Sequence, residues 1–512
     1  MKVRTAQRAT RGQMALHRVL PNAVLDRSSL DLIELVSGGG DARIALDPKT
    51  GLNRYLSGPY PRDVLSYSSS TISDISPEAF AHLLERFEGL RERPYADSLA
   101  ELRARLLAAL DLRECDARIV FAPSGTDLEY VALACAQDED GAASAAIHNI
   151  LLGADETGSG CIHSAHGRFF AQETALGVAT TPAVPVAGCD GVTLVDVPVR
   201  CAKGTARASA DVIADMAREI EAAGHRGSHS LVHVVHGSKT GLVLPSLSDL
   251  DRLRKRFGPA ITLVVDACQA RITASAVRAY LDRDCIVLMT GSKFIGAPPF
   301  SGWALIPPAM ARRVGPLPSG FNAVFRRAEW PEGWPGRGEL KDTGNVSLAL
   351  RLTAAVFELE RFQAIPLARA AAVIDAFETA VEKHLIASLG ARRVSPCAAQ
   401  GGEGAGTNLI EMRTLITLDV SALPGLETFE DAQKLHRSLA LEGVRLGQPV
   451  KCVRRQIDGS QAWGGTLRIG LSMPQMIRWA ASSDDAVCDI LESDTQRIEQ
   501  AIRERLSCFI AS

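Results

Sequence analysis

"MTGSKFIGAPPFSG", residues 289–302, sets one lysine among small and hydroxyl residues, directly after the apolar run "CIVLM" at 285–289. Such a run reads as a buried strand. Lysine is among the residues least often buried without a partner. Lys293 therefore either turns to solvent at the strand's end or stands in a site that needs an amine. The rest of the chain bears on which.

Around this stretch, from about 118 to 310, short apolar runs alternate with helical stretches. The runs are "RIVFAP", "AAIHNILL", "VTLVDVPV", "SLVHVVHG", "ITLVVDA", "CIVLMTG" and "SGWALIPP". "TDLEYVALACAQ" and "ADVIADMAREIEAAG" are among the helical stretches between them. The alternation implies an α/β fold whose sheet is mainly parallel, with helices on its faces. Ligands of such sheets bind at the carboxyl ends of the strands, and Lys293 follows one of those ends.

Upstream, "SPEAFAHLLERFEGLRER" (76–93) begins with a serine cap and a proline at the first helical position, and 99–112 reads as a second helix. "SGGG" (37–40) and "SGPYP" (57–61) mark loops. Downstream, 316–344 is a long irregular stretch rich in Gly, Pro and Trp, and long irregular segments are often functional. A helix is expected over 346–362. The remainder, from about 365, mixes helices with the strands "LITLDV" and "TLRIGLS", as in a smaller α+β domain.

A chain of 512 residues, 46% hydrophobic, can fill more than one core. Its net charge of −3 gives no strong field, which disfavours nucleic acid and anionic membrane as partners. No apolar stretch approaches the roughly 18–20 residues of a transmembrane helix. The first twenty residues are basic and acid-free, as transit peptides are, but lack the continuous apolar core of a secretory signal. The eleven cysteines form no CxxC pair, which suits a reduced, cytoplasmic protein.

Three strand ends carry chemistry. In "IVFAPSGTDLEYVALA" (119–134) a strand passes through Ser124, Gly125, Thr126 and Asp127 straight into a helix. Gly125 permits a tight turn, and free N–H groups at the helix start would bind phosphate. The hydroxyls of Ser124 and Thr126 serve equally as plain helix caps. In "ITLVVDACQARI" (261–272) Asp266 closes an apolar strand, where a carboxylate needs a charged or hydrogen-bonding partner or serves as a cap. At the third end Lys293 can form a Schiff base with a carbonyl, and Thr290 and Ser292 flank it with hydroxyls suited to phosphate. A phosphate cup, a strand-end carboxylate and a strand-end lysine together suit pyridoxal 5'-phosphate (PLP). Its aldehyde needs the amine, its pyridine nitrogen the carboxylate, and its phosphate the cup.

The order and spacing of these residues resemble the fold-type I PLP enzymes, above all the class V aminotransferase and cysteine desulfurase branch. The resemblance covers 118–310 well and 340–475 loosely. It implies a large domain with a mainly parallel seven-stranded sheet and a smaller α+β C-terminal domain. Residues 1–75 would join the small domain and cover the active site, 76–325 form the large domain, and 326–512 the interdomain segment and small domain. It further implies that Gln269, in Asp266-Ala-Cys-Gln269, bonds the cofactor's phenolic oxygen, and that Thr290 and Ser292 touch its phosphate. Ser238, in "HVVHGSKTGLVLPS" (233–246), would contact the phenolic oxygen or the substrate, with His236 second. Thr343, in "DTGNVS" (342–347), would reach the phosphate of a neighbouring subunit, implying a homodimer. Arg468, in "GTLRIGLS" (465–472), matches the arginine that grips the substrate α-carboxylate, and its fork fits a carboxylate bidentately. A surface position in a strand is the plainer account of it.

The match thins in places. The family stacks a ring on the cofactor soon after the cup. Here its Glu-His-x-Ser pattern falls on Glu156, Thr157, Gly158 and Ser159, so Thr157 stands where a ring is expected. His163 and His166 stay open as substitutes; they lack the third neighbour of a metal site, and no metal is expected. Tyr55 and Ser70, in 51–73, are candidates for covering the substrate.

PLP is an electron sink, and the protein decides which bond breaks. Lys293, once free, would be the general base at Cα of an amino-acid substrate. The leading expectation is an aminotransferase-like enzyme. β- or γ-elimination, replacement or carbon–carbon bond formation is the alternative. Desulfuration would need a mobile cysteine ahead of Arg468, and Cys452 lies there. A binding or regulatory module is disfavoured by the intact Lys293, Asp266 and Gln269. A nucleotide-binding oxidoreductase is disfavoured because no G-x-G-x-x-G opens the first helix.

Overall fold

Seven of the apolar runs become strands of one sheet. A computed structural model describes residues 26–137, 146–158, 160–396, 410–457 and 459–511. The basic N-terminal stretch and Ser159 lie outside the described residues. A short strand β1 (Leu65–Tyr67) precedes the main series. That series is β2 (Arg118–Ala122), β3 (Ile147–Leu152), β4 (Thr193–Val197), β5 (His229–His236), β6 (Val243–Leu244), β7 (Ile261–Asp266), β8 (Cys285–Thr290) and β9 (Gly302–Ile306). Across the sheet the order is β2-β9-β8-β7-β5-β3-β4. All neighbours from β8 to β4 are parallel, and β9 runs antiparallel to both β8 and β2. The two-residue β6 hooks back antiparallel onto β5 and adds an eighth strand to the seven expected.

The central strands β7, β8 and β9 read as nearly unbroken apolar runs because both of their faces are covered, whereas the edge strand β4 is partly exposed. Side chains alternate between two cores, as a period of two requires. Leu263, Val265, Val287 and Met289 enter the larger core, shared with the helices Pro77–Glu92, Tyr95–Ala109 and Val346–Gln363. Val264, Ile286 and Leu288 enter a second core against the helix Leu128–Cys135. The irregular stretch after β9 is held by packing in that second core, where Phe321, Phe325 and Trp330 are fully buried. The helix Pro77–Glu92 starts as expected, with the Ser76 hydroxyl accepting from the Ala79 amide at 2.9 Å.

In the C-terminal part, β10 (Arg392–Arg393), β11 (Leu415–Asp419) and β15 (Thr466–Gly470) form an antiparallel sheet in the order β10-β11-β15. Between them lie β12 (Val444–Leu446) and the hairpin β13 (Arg454–Ile457)–β14 (Ser460–Trp463). β12 pairs in parallel with β1, Leu65 facing Val444, so the N-terminal segment is built into this part. The buried Arg445 fastens the junction. Its guanidinium donates to the carbonyls of Ile72 and Leu56 and pairs with Asp74 at 2.9 Å.

Candidate active site

β7 and β8 run side by side, with Asp266 facing Leu288, so the loops after Asp266 and Thr290 leave the sheet together. Gly291 makes the exit from β8. A Cβ there would meet Ala355 Cβ and Ser301 Oγ, each at 2.6 Å, so no larger residue fits before Ser292 and Lys293. The loops are stitched together: Thr290 Oγ1 donates to the Cys268 carbonyl at 2.8 Å, and the Phe294 amide to the Gln269 carbonyl at 3.2 Å. Asp266 Oδ1 accepts the Cys268 amide at 2.9 Å, which fixes the carboxylate's direction. Ser292 Oγ donates to Thr290 Oγ1 at 3.4 Å.

The turn after β2 meets them from the side. A Cβ on Gly125 would lie 2.9 Å from Thr290 Cγ2, so glycine permits the closest approach of this turn to β8. Between the three loops is a cavity of about 170 Å³. Ser124, Gly125, Thr126, Ser238, Asp266, Gln269, Thr290, Ser292 and Lys293 all line it. Lys293 is partly open, because the cavity reaches it. Its surroundings are otherwise protein, and burial lowers its pKa to about 8, with the cations of Lys239 and Arg468 acting in the same sense.

Other expected residues lie elsewhere. Asp127 is behind the turn, off the cavity wall, accepting the Ser124 hydroxyl at 2.5 Å; burial pushes its carboxyl up to about 7. Arg468 is buried one layer back. It donates to the carbonyls of Gln448 at 2.7 Å and Lys239 at 2.9 Å, both residues of the cavity wall. Thr343 is exposed and outside this chain's own cavity. Cys452 is 3% exposed and also off the wall, and burial pushes its thiol up to about 12. Thr157 lines the cavity, whereas His163 is exposed and His166 half-buried, both away from it. His236 is buried against the Tyr280 hydroxyl at 3.0 Å. Of the N-terminal candidates Tyr55 lines the cavity, while Ser70 is buried beside it and Thr71 takes the wall position. Among the described residues, no group of three or more His, Cys, Asp or Glu side chains could hold a metal ion.

Three features of the cavity escape the sequence reading. Glu129 lines it, 3% exposed, with Oε2 3.4 Å from His233 Nε2. Burial raises the Glu129 carboxyl and lowers the His233 imidazole to about 3. A charged residue inside the otherwise apolar helix sequence "LEYVALAC" is the signal that marks it. Glu156 is buried under the 237–240 loop. It accepts from Ser238 Oγ at 2.6 Å and Thr240 Oγ1 at 2.7 Å and pairs with Arg200 at 2.6 Å. Arg43 comes from the N-terminal segment and carries no periodic signal; it too lines the cavity.

Strand order, the crossing loops and the cavity at the strands' carboxyl ends define a fold-type I architecture, the class expected. Among solved structures, a NifS-like protein is 13% identical, with a TM-score of 0.51 over 84% of this chain and 99% of that chain. This likeness carries the fold assignment. Two further neighbours are similar over comparable lengths. Ureidoglycine–glyoxylate aminotransferase from Bacillus subtilis is 12% identical over 87% of this chain and 99% of that one, with a TM-score of 0.48. A cysteine desulfurase from Thermococcus onnurineus NA1 is 14% identical over 84% and 95%, with a TM-score of 0.49. No family model and no curated protein matches the chain.

Proposed function

We propose that the chain is a PLP-dependent enzyme acting at Cα of an amino-acid substrate, aminotransferase-like in its chemistry. One observation carries this reading: Lys293, Asp266 and the hydroxyls of Ser124, Thr126, Thr290 and Ser292 converge on one cavity. The residues present fit the cofactor. Gln269 Oε1 and Glu129 Oε2 are buried at the cavity without a hydrogen-bond partner, and unmet buried polar atoms call for a ligand. Gly125 keeps a Cβ atom out of the space where its turn meets Thr290.

When bound, PLP supplies an aldehyde for amine capture and a ring that withdraws electrons from Cα. Lys293 would hold the aldehyde and, as a free amine, would move the proton at Cα. Its lowered pKa keeps a usable fraction of free amine near neutral pH. Asp266 would be the acidic partner of the ring nitrogen. Gln269 would bond the phenolic oxygen, Ser238 would join it only by turning its proton away from Glu156, and the hydroxyls of the cup would take the phosphate. Arg468 would orient the substrate carboxylate only if the wall residues Gln448 and Lys239, whose carbonyls take two of its five N–H donors, moved aside to let it reach the cavity. Thr343, exposed on its own chain, would serve the phosphate of a second copy in a homodimer. A cytoplasmic location suits this soluble chemistry; among the described residues no helix is long and apolar enough to cross a membrane.

Elimination, replacement and carbon–carbon bond formation use the same machinery and form the second reading. Desulfuration through Cys452 is not favoured. A buried thiol whose pKa is pushed up to about 12 supplies almost no thiolate at neutral pH.

The test is the absorbance of the purified protein with PLP, before and after borohydride. Wild type should show a band near the visible edge that borohydride removes, leaving the cofactor fixed to Lys293 in a peptide map. Lys293→Ala should lose that attachment and about 10³-fold or more of turnover. Full activity in this variant would sink the mechanism. With a panel of amino acids, conversion of the cofactor to its amine form marks transamination, and release of ammonia with a keto acid marks elimination.

A further inference from the structure

We propose that Arg43, reaching in from the N-terminal segment of the same chain, is the cation of the phosphate site. This rests on the reading that the cup takes PLP. It adds a residue outside the motifs that carry that reading.

The guanidinium is held on three sides. Along one edge Asp41 grips it, with Nε–Oδ1 at 2.9 Å, Nε–Oδ2 at 3.1 Å and Nη2–Oδ2 at 2.7 Å. The rings of Phe170 and Phe300 lie against it, each with its centroid 4.9 Å from the central carbon. Such contacts favour a cation and restrict its rotation. The remaining edge faces the cup: Nη1 is 3.3 Å from Thr126 Oγ1, and Nη2 is 3.4 Å from Ser124 Oγ. These distances are long beside the roughly 2.7–2.9 Å of a charge-assisted bond. The donors thus have room for a stronger acceptor at the same place. Among the described residues lining the cavity, Arg43 is the cation within hydrogen-bond reach of Ser124 and Thr126.

The surrounding chain is shaped to keep it there. Phe300 sits at φ +72°, an unusual and strained conformation for an aromatic residue. Arg351 Nε holds the Phe300 carbonyl at 2.7 Å, which fixes the ring against Arg43. Gly40 packs directly on that ring, since a Cβ would lie 2.9 Å from Phe300 Cδ1. The Tyr55 phenol, also on the cavity wall, interacts with the same guanidinium. A phosphate monoester brings close to two negative charges. A helix start offers only about half a positive charge against them, so a fixed guanidinium is a strong addition.

The same edge could instead bind a substrate carboxylate, and the experiment separates the two sources. Equilibrium binding of PLP and of pyridoxal, which lacks the phosphate, is measured by absorbance for wild type, Arg43→Gln and Arg43→Lys. Arg43→Gln should weaken PLP by about 30-fold or more and leave pyridoxal within about twofold. Arg43→Lys should fall between. Thermal unfolding checks that each variant folds. If Arg43→Gln does not fold, a lower PLP-to-pyridoxal preference in Arg43→Lys than in wild type carries the test. Unchanged PLP affinity, an equal loss of both ligands, or a raised KM for the amino acid with PLP affinity intact would each overturn the proposal. If wild type itself binds no PLP, the underlying reading has failed instead.

Discussion

Lys293 owes its chemistry to its neighbours. An exposed lysine amine titrates near 10.4, whereas burial brings Lys293 to about 8. Only the deprotonated amine attacks an aldehyde. PLP capture by the apoprotein should therefore quicken as pH rises through about 8 and level off above it. Stopped-flow absorbance from pH 6 to 10 would show the midpoint, and a rate still climbing steeply at pH 10 would refute the shift. Lys293 and Asp266 are legible in the sequence because each stands where an apolar run stops, and Gln269 only through the family resemblance. Glu129 was legible in principle, as a lone carboxylate in an apolar helix. Arg43 was not: "DARIALDP" has no periodicity, and its role depends on rings far along the chain.

At the level of the element, strands were the easiest to read. A strand buried on both faces must be apolar along its length, and the central strands β7, β8 and β9 obey that rule nearly throughout, while the edge strand β4 is largely exposed or half-buried. β6 passed unseen because two residues hold no pattern. The 237–240 loop was read for Ser238 alone, while its anchor is Glu156 beneath it. That carboxylate is buried with Arg200, side chains 5% and 7% exposed. Removing one member of such a pair leaves an uncompensated charge, at a cost of about 3–5 kcal/mol. Glu156→Gln should lose that much stability in urea unfolding, and the Glu156→Gln/Arg200→Met double variant should recover part of it. Additive losses would show that the two side chains are not coupled.

Over the whole molecule, the N-terminal segment is sewn into both parts of the chain. The fully buried Arg351 donates to four backbone carbonyls, those of Val36, Gly38, Gly39 and Phe300. Arg351→Met would strand these acceptors, costing at least about 3 kcal/mol. Limited proteolysis should then cut first within 37–58, and an unchanged cleavage pattern would contradict this role. The family resemblance implies that residues 1–75 join the small domain and cover the site, but the four acceptors of Arg351 are not legible, since periodicity reports an element's own exposure and says nothing of partners hundreds of residues away.

The pairing of β1 with β12 also sets a timetable for synthesis. Leu65 leaves the ribosome long before Val444 exists to receive it. At about 5–20 residues per second the delay is tens of seconds. Arg445, which ties down Leu56 and Ile72, arrives with the same late stretch. A nascent chain thus carries its lysine and its carboxylate well before the segment that holds Leu56 and Ile72 can be fastened.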